Sequence, residues 1–490
     1  MPRLTSQFQC MPNFRPVLFV VGMMLVALAI AMLVPALASH ATEQALRFPF
    51  LISAAMTAFV GGASVIVGWE RRGSINVREA FLATATAWVM ASLAAALPLY
   101  MSGQVNFTDA MFESMSGLTT TGSSIFPSVE NLPVAIHLWR SIISWIGGIG
   151  IIAVAIMIMP FLRVGGMQLF RAESPERNQR ITARPLQFAV YLFWVYFVLT
   201  VICGFALWGA GMTPFDAVNH AMGAVATGGF STHDASFGYY PGNAVKWVGT
   251  IFMIVGALPF VLFVKALRGD WSGFLSDQQV RGFMFLLVGS TLMLAAWLWD
   301  ASMPLADALT HAAFTVTSVV TTAGYASADY ILWGTFPAVL LLLLTFFGGC
   351  TGSTSGAIKV FRIQIMFLIA REQLRKLVLP HLFFARTFNK EPVSDDVLRS
   401  VIAFIFVYVA ATGLLAAGLA AFGLDLVTSV SGAATAIGNV GPGLGPIIGP
   451  YGNFSSLPDG AKWLLVAGML LGRLEFFTIL VIFTRTFWRA

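Results

Sequence analysis

Gly117 to Phe126 reads GLTTTGSSIF, an uncharged, glycine-containing run between two apolar segments that are each long enough to cross a membrane. It does not stand alone. Four stretches can be laid over one another without gaps: TDAMFESMSGLTTTGSS from Thr108, FDAVNHAMGAVATGGFS from Phe215, THAAFTVTSVVTTAGYA from Thr310 and VTSVSGAATAIGNVGPG from Val427. In register, Thr120, Thr227, Thr322 and Asn439 coincide, and two residues later so do Gly122, Gly229, Gly324 and Gly441. Four residues before each glycine stands an aliphatic side chain: Leu118, Val225, Val320 and Ile437. Each stretch opens with an apolar segment of about a dozen residues, where a spanning helix needs about 20, which marks it as a re-entrant half-helix.

The surrounding composition sets the class. Hydrophobic residues make up 58% and charged residues 10% of the 490 positions, where soluble chains average about 25% charged. This is the balance of an integral membrane protein. Cys10, Cys203 and Cys350 are too scattered for a disulfide framework or metal spacing. The first apolar run, Pro16 to Leu37, is followed at once by a second, so it reads as a retained helix and not as a cleaved signal.

Spanning helices are expected at roughly 16–38, 48–70, 77–101, 134–161, 185–211, 244–267, 281–301, 334–370, 397–421 and 460–488, with Gly348 to Gly356 interrupting the long 334–370 segment. Basic loops alternate with acidic or uncharged ones: Arg71, Arg72 and Arg78; Arg163 to Arg184; Lys265, Arg268 and Arg281; Lys359 to Arg399; then Arg485 and Arg489. The positive-inside rule places all of these, and both termini, in the cytoplasm. The fold expected is therefore an all-α polytopic membrane protein. It has a two-helix preface over 1–75 and four pseudo-symmetric helix–loop–helix repeats around a central path, over 76–180, 181–275, 276–390 and 391–490. Their re-entrant loops cover 108–125, 215–232, 310–327 and 427–445. Parallel repeats of this kind sit around an axis along the membrane normal.

Non-helical backbone at membrane depth survives only where it is buried in protein or lines water, because each unsatisfied N–H or C=O in hydrocarbon costs several kcal/mol. Four such strands converging on one axis suit a cation filter, in which carbonyl oxygens replace the hydration shell. The candidate ion-binding residues are Thr120, Thr121 and Gly122; Thr227, Gly228 and Gly229; Thr322, Ala323 and Gly324; and Asn439, Val440 and Gly441. Glycine suits a strand that must take positive φ to aim successive carbonyls. Asp109 and Asp216 occupy the N-terminal ends of the first two half-helices, where a carboxylate is favoured; His311 and Thr428 replace them in the other two, so this detail is only half repeated.

Phe347 to Lys359 reads FGGCTGSTSGAIK. Its glycines predict an unwound stretch near mid-membrane, and Gly348, Gly349, Thr351, Gly352, Ser353, Thr354, Ser355 and Gly356 are the candidate gate beneath the filter. Arg473, in LLGRLEFF, falls about 16 Å along the last helix from Lys462 and needs a cavity or a partner at that depth. It is read as a positive barrier on the path. Glu475, two residues on, does not share its helix face. Arg140, Lys246 and Lys462, beside Trp139, Trp247 and Trp463, read as interfacial anchors. Glu113, inside the first half-helix, reads as a brace for the loops.

With those motifs in place, the chain resembles the Trk/Ktr/HKT superfamily of potassium transporters, most closely its bacterial Trk branch. The likeness runs over nearly the whole chain, and the preface is typical of that branch. The resemblance implies that the glycines in TTGSS, TGGFS, TAGYA and NVGPG are selectivity determinants. A serine at the first of them marks sodium-preferring plant relatives, so Gly122 implies potassium. It further implies that the glycine-rich loop is a gate, and that Arg473, in the family's GRLE pattern at Gly472 to Glu475, lies on the ion path. It also implies a homodimer in a bacterial inner membrane, in contact with lipid and paired with soluble nucleotide-binding subunits of the TrkA kind. Arg163–Arg184 and Lys359–Lys390 are the candidate docking loops. The chain itself has no phosphate-cradling or dinucleotide-binding motif; neither an organic cofactor nor nucleic acid is expected.

Two other functions fit this chain less well. A carrier coupling potassium to sodium or protons would need a titrating mid-membrane pair, which the sequence does not announce. An intramembrane hydrolase would need G-x-S-x-G, whereas GSTSG carries Thr354 at its centre.

Overall fold

The computed structural model describes residues 13–42, 44–69, 76–158, 185–379 and 386–489. The Arg163–Arg184 loop, Arg71, Arg72 and Cys10 lie outside the described residues. Two preface helices, Phe14–Thr42 and Arg47–Gly68, pack along each other and onto Val77–Met101. Small residues let them close: a Cβ on Gly22 would lie 2.7 Å from the Gly61 carbonyl oxygen, and one on Gly68 2.6 Å from that of Arg15. Such contact substitutes for the hydrophobic drive that lipid does not supply.

Each of the four expected units begins with a long apolar helix: Val77–Met101, Pro185–Gly209, Gln278–Asp300 and Asp395–Ala421. A short helix follows in each, Phe107–Leu118, Pro214–Ala226, Leu305–Val320 and Leu426–Gly438, of 12, 13, 16 and 13 residues. An irregular strand then leads to the unit's second long segment. The short helices are buried almost throughout, which places them at the centre of the bundle.

The second segments depart from the sequence reading. Only the first unit's, Val134–Ile158, is one unbroken helix. The expected span 244–267 is instead Asn243–Ala257 and Phe260–Ala266, bent by 93°. Pro259 is the cause: it has no N–H, and it holds Leu258 before it extended at ψ 156. The expected span 460–488 bends by 108° between Asp459–Arg473 and Phe476–Phe483. There Glu475 takes φ 58 and its carboxylate accepts a 2.8 Å hydrogen bond from Arg362. In the third unit the interruption runs wider than Gly348 to Gly356, from Thr345 to Lys359, between the helices Thr335–Leu344 and Val360–Val378. Its two ends are tied where the Gly348 N–H donates to the Ile358 carbonyl at 2.8 Å.

Beyond the apolar segments, the charged helix Val360–Val378 ends in a cluster in which Glu372 accepts from Arg386 and pairs with Lys376. Those bonds hold its carboxyl down at about 2. A two-residue hairpin, Thr387–Phe388 against Glu391–Pro392, closes the connection.

Candidate functional site

The site is built from the ends of the short helices. Asn106, Thr213 and Asp425 cap three of them by accepting from the backbone N–H of Asp109, Asp216 and Thr428, and Asp307 lies in the first turn of the other. Every short helix thus carries an acid at its positive end: Asp109, Asp216, Asp307 or Asp425. Reading His311 and Thr428 as replacements missed this, because the acid has shifted along the helix start while its electrostatic role is kept.

At the other end each helix finishes into a residue in the left-handed region. Thr120, Thr227, Thr322 and Asn439 have φ of 52, 52, 61 and 54, at a cost of about 1–2 kcal/mol each for a residue with a Cβ. Two residues on, Gly122, Gly229, Gly324 and Gly441 have φ of 83, 69, 75 and 109. The four strands then meet in cyclic order. A Cβ on Gly122 would stand 2.7 Å from the Gly228 carbonyl oxygen, on Gly229 2.3 Å from that of Ala323, on Gly324 2.0 Å from that of Val440, and on Gly441 2.6 Å from that of Thr121. The fourth contact returns to the first strand, so the ring closes. All twelve residues expected at the ion path fall on these strands.

Buried polar groups fix the ring. Glu113 accepts from Arg140 Nε at 2.7 Å, from the Ile125 N–H at 2.9 Å and from Ser124 Oγ at 3.1 Å. Arg140 also donates to the Ser231 carbonyl and lies over the Phe230 ring at 4.3 Å, which joins the first strand to the second. Lys246 donates to the Tyr240 carbonyl, and Lys462 pairs with Asp109 at 2.6 Å, joining the last unit to the first. Arg140, Lys246 and Lys462 are all buried, so they brace the centre and do not anchor the interface as the sequence suggested. Trp139 is buried too, whereas Trp247 and Trp463 stay exposed. Ser116 Oγ donates to the Ser123 carbonyl, and Ser318 Oγ, in register, to that of Tyr325. A pocket of about 80 Å³, open to solvent, borders Gly122, Gly229, Gly324, Arg140 and Pro442 on one side of the ring.

The glycine loop meets the ends of the short helices. Thr354 Oγ1 donates to the Gly256 carbonyl at 2.9 Å and lies 3.1 Å from Thr227 Oγ1, which donates to it. The Gly356 N–H donates to Thr322 Oγ1 at 2.7 Å, and a Cβ on Gly356 would stand 2.4 Å from the Gly438 carbonyl oxygen. Thr351, Gly352 and Ser353 turn the other way. The Thr351 N–H donates to Gln279, the Gly352 carbonyl accepts from the Phe260 N–H, and Ser353 Oγ donates to the Cys350 carbonyl. Gly348 and Gly349 pack against Gly356 and Ala257, while Lys359 Nζ donates to the Ser355 carbonyl.

Arg473 is fully enclosed. Its Nη1 donates to the Thr354 carbonyl at 2.7 Å and its Nη2 to that of Gly147 at 3.2 Å. No carboxylate lies within ion-pairing distance of it among the described residues, and Glu475 pairs with Arg362 instead. Sequence reasoning missed the glycines through which second helices cross the aligned aliphatic residues. A Cβ on Gly147, Gly256 or Gly472 would fall 2.1, 2.6 or 1.9 Å from the carbonyl oxygens of Leu118, Val225 and Ile437. The aligned aliphatics were the available signal, since each is the point at which a helix must be approached closely.

Comparison with known proteins identifies the family and the fold. The family model for TrkH, described as a cation transport protein, matches residues 47–489. The chain is 45% identical to the Trk system potassium uptake protein TrkI of Halomonas elongata, over 97% of each. It is 35% identical to the Trk system potassium uptake protein TrkH of Escherichia coli K12, covering 97% of this chain and all of that one. The crystal structure of the potassium transporter TrkH from Vibrio parahaemolyticus superposes with a TM-score of 0.90 at 34% identity, over 97% of this chain and all of that one.

Proposed function

We propose, for a chain that belongs to the TrkH family of cation transport proteins, that it carries potassium into a bacterial cell through the ring of four strands. The observation that carries this reading is the cyclic closure of the strands through Gly122, Gly229, Gly324 and Gly441. A closed ring of close-packed backbone at the centre of a membrane bundle has carbonyl groups to offer a desolvated cation, and four short helices direct their negative ends towards it. The glycine loop over Gly348 to Gly356 is the gate, and Arg473 beside it repels cations from a path that is not in use. Membership of a transport family sets aside the hydrolase reading.

The relatives are named as proteins of a potassium uptake system, which supports a chain that works with other subunits. The chain works in the inner membrane as a homodimer with both termini in the cytoplasm, and a soluble nucleotide-binding partner docks on the basic cytoplasmic connections. Rubidium-86 influx into proteoliposomes containing the chain tests the core of this. Influx blocked by potassium and not by sodium is the expected result; equal block by sodium refutes the filter.

A further inference from the structure

The four left-handed residues at the inner edge of the ring are equivalent in backbone but not in what their side chains do. Thr227 Oγ1 donates to Thr354 Oγ1, and Thr322 Oγ1 accepts from the Gly356 N–H. Across the ring, Thr120 Oγ1 and Asn439 Oδ1 are buried and have no hydrogen-bond partner among the described residues. A buried polar oxygen left unpaired is costly and rare. Two of them at the same level mark a place where a polar guest belongs, and the other two positions of that level are taken by the loop.

We infer that the glycine loop and the transported cation compete for the Thr227 and Thr322 hydroxyls, with Thr354 as the positioning residue that holds the loop on them. This rests on the filter-and-gate reading and adds the linkage between its two parts. When the loop withdraws, Thr322 regains the lone pair it gives to the Gly356 N–H, the Thr354 oxygen no longer stands against the Thr227 hydroxyl, and beside Thr120 and Asn439 a cation completes the level with four side-chain oxygens. An ion at that level disfavours return of the loop. By reciprocity, the loop lowers ion occupancy there by the same factor by which the ion displaces the loop.

The test uses the full chain in proteoliposomes, with rubidium-86 influx and hydrogen exchange over residues 345–359 as paired readouts. Thr354→Val keeps the shape and loses the hydroxyl. It is expected to raise influx about two- to tenfold, the range that one net hydrogen bond supports, and to speed exchange in the loop. Thr354→Ser, which keeps the hydroxyl, stays within about twofold of the parent. In the parent chain, replacing choline with potassium speeds loop exchange, and Thr227→Val with Thr322→Val abolishes that dependence. Loop exchange insensitive to potassium in the parent, or influx unchanged in Thr354→Val while rubidium influx remains potassium-blocked, overturns the linkage and leaves the function standing. Rubidium influx that potassium fails to block in every variant overturns the function and the linkage with it.

Discussion

The ring predicts a graded response to the smallest possible lesion, a single methyl group. Alanine at any of the four glycines must adopt positive φ, at about 1–2 kcal/mol. Beyond that shared cost the sites differ. To restore an ordinary contact of 3.4 Å, the neighbouring strand must give way by about 0.7 Å for Gly122→Ala but by about 1.4 Å for Gly324→Ala. Overpacking costs about 1–3 kcal/mol, with the larger displacement at the upper end. The obstacle is backbone in both cases, Gly228 and Val440, so no side chain can rotate away. The strain is relieved by opening the ring, and it sets the scale of discrimination that can be lost. Since 1.4 kcal/mol is a factor of ten, Gly122→Ala is expected to lower potassium-over-sodium preference about tenfold and Gly324→Ala to abolish it, with Gly229→Ala and Gly441→Ala between. Competition of rubidium-86 influx by potassium and sodium measures this. Full discrimination in a folded Gly324→Ala protein, or a greater loss at Gly122 than at Gly324, would refute the close-packed ring as the source of selectivity.

Three further outcomes follow from the braces. Glu113→Gln leaves the Arg140 guanidinium buried without its counter-charge and is expected to cost about 3–5 kcal/mol, read as a fall in Tm in detergent, with Arg140→Met in the same chain recovering part of it. Asp425→Ala removes the cap of the fourth short helix, worth about 1 kcal/mol, and should speed hydrogen exchange at its first turn; equal exchange would mean that the cap is idle. Glu372 is held at about 2 by hydrogen bonds from Arg386 and Lys376, below the ordinary glutamate value of about 4.3. Its contribution is therefore fully present above that ordinary value and lost as pH falls towards 2. Protection of the hairpin amides at 387–392 should drop over that interval in the parent chain and stay flat in Glu372→Gln.

How much of this was legible in the sequence differs by kind of interaction. The short helices and the strands after them were readable because their signals are local: a dozen apolar residues, then a threonine or asparagine and a glycine at fixed spacing. Even the left-handed residues were placed at the right position, although their φ was expected only of the glycines. What escaped depends on contacts between distant residues. Arg140 and Lys462 look like interfacial cations until Glu113 and Asp109 are seen beside them. Gly147 looks like one more small residue in a membrane helix until the Leu118 carbonyl is found against it. The bend at Pro259 carried a local cue that was overlooked, whereas the bend at Glu475 has none, since it rests on Arg362 more than a hundred residues away.

The three broken second helices explain one another. A break in a membrane helix frees backbone groups that lipid cannot satisfy, so one break alone would be expensive. Here the second unit's break, at Leu258–Pro259, leaves the Gly256 and Ala257 carbonyls and the Phe260 N–H without helical partners. Those carbonyls accept from the Thr354 and Cys350 N–H groups at 3.2 and 2.9 Å, and the Phe260 N–H donates to the Gly352 carbonyl at 3.1 Å. The third unit's loop thus fills the gap in the second unit's helix. The fourth unit supplies Arg473, which caps the Thr354 carbonyl and, through Gly147, ties the loop to the unbroken helix of the first unit. Each defect is the other's partner. It follows that a loop leaving this position exposes at least these backbone groups together, and only water can take up so many at once. On the proposed gating, opening the path for an ion and wetting it below the ring are then one event.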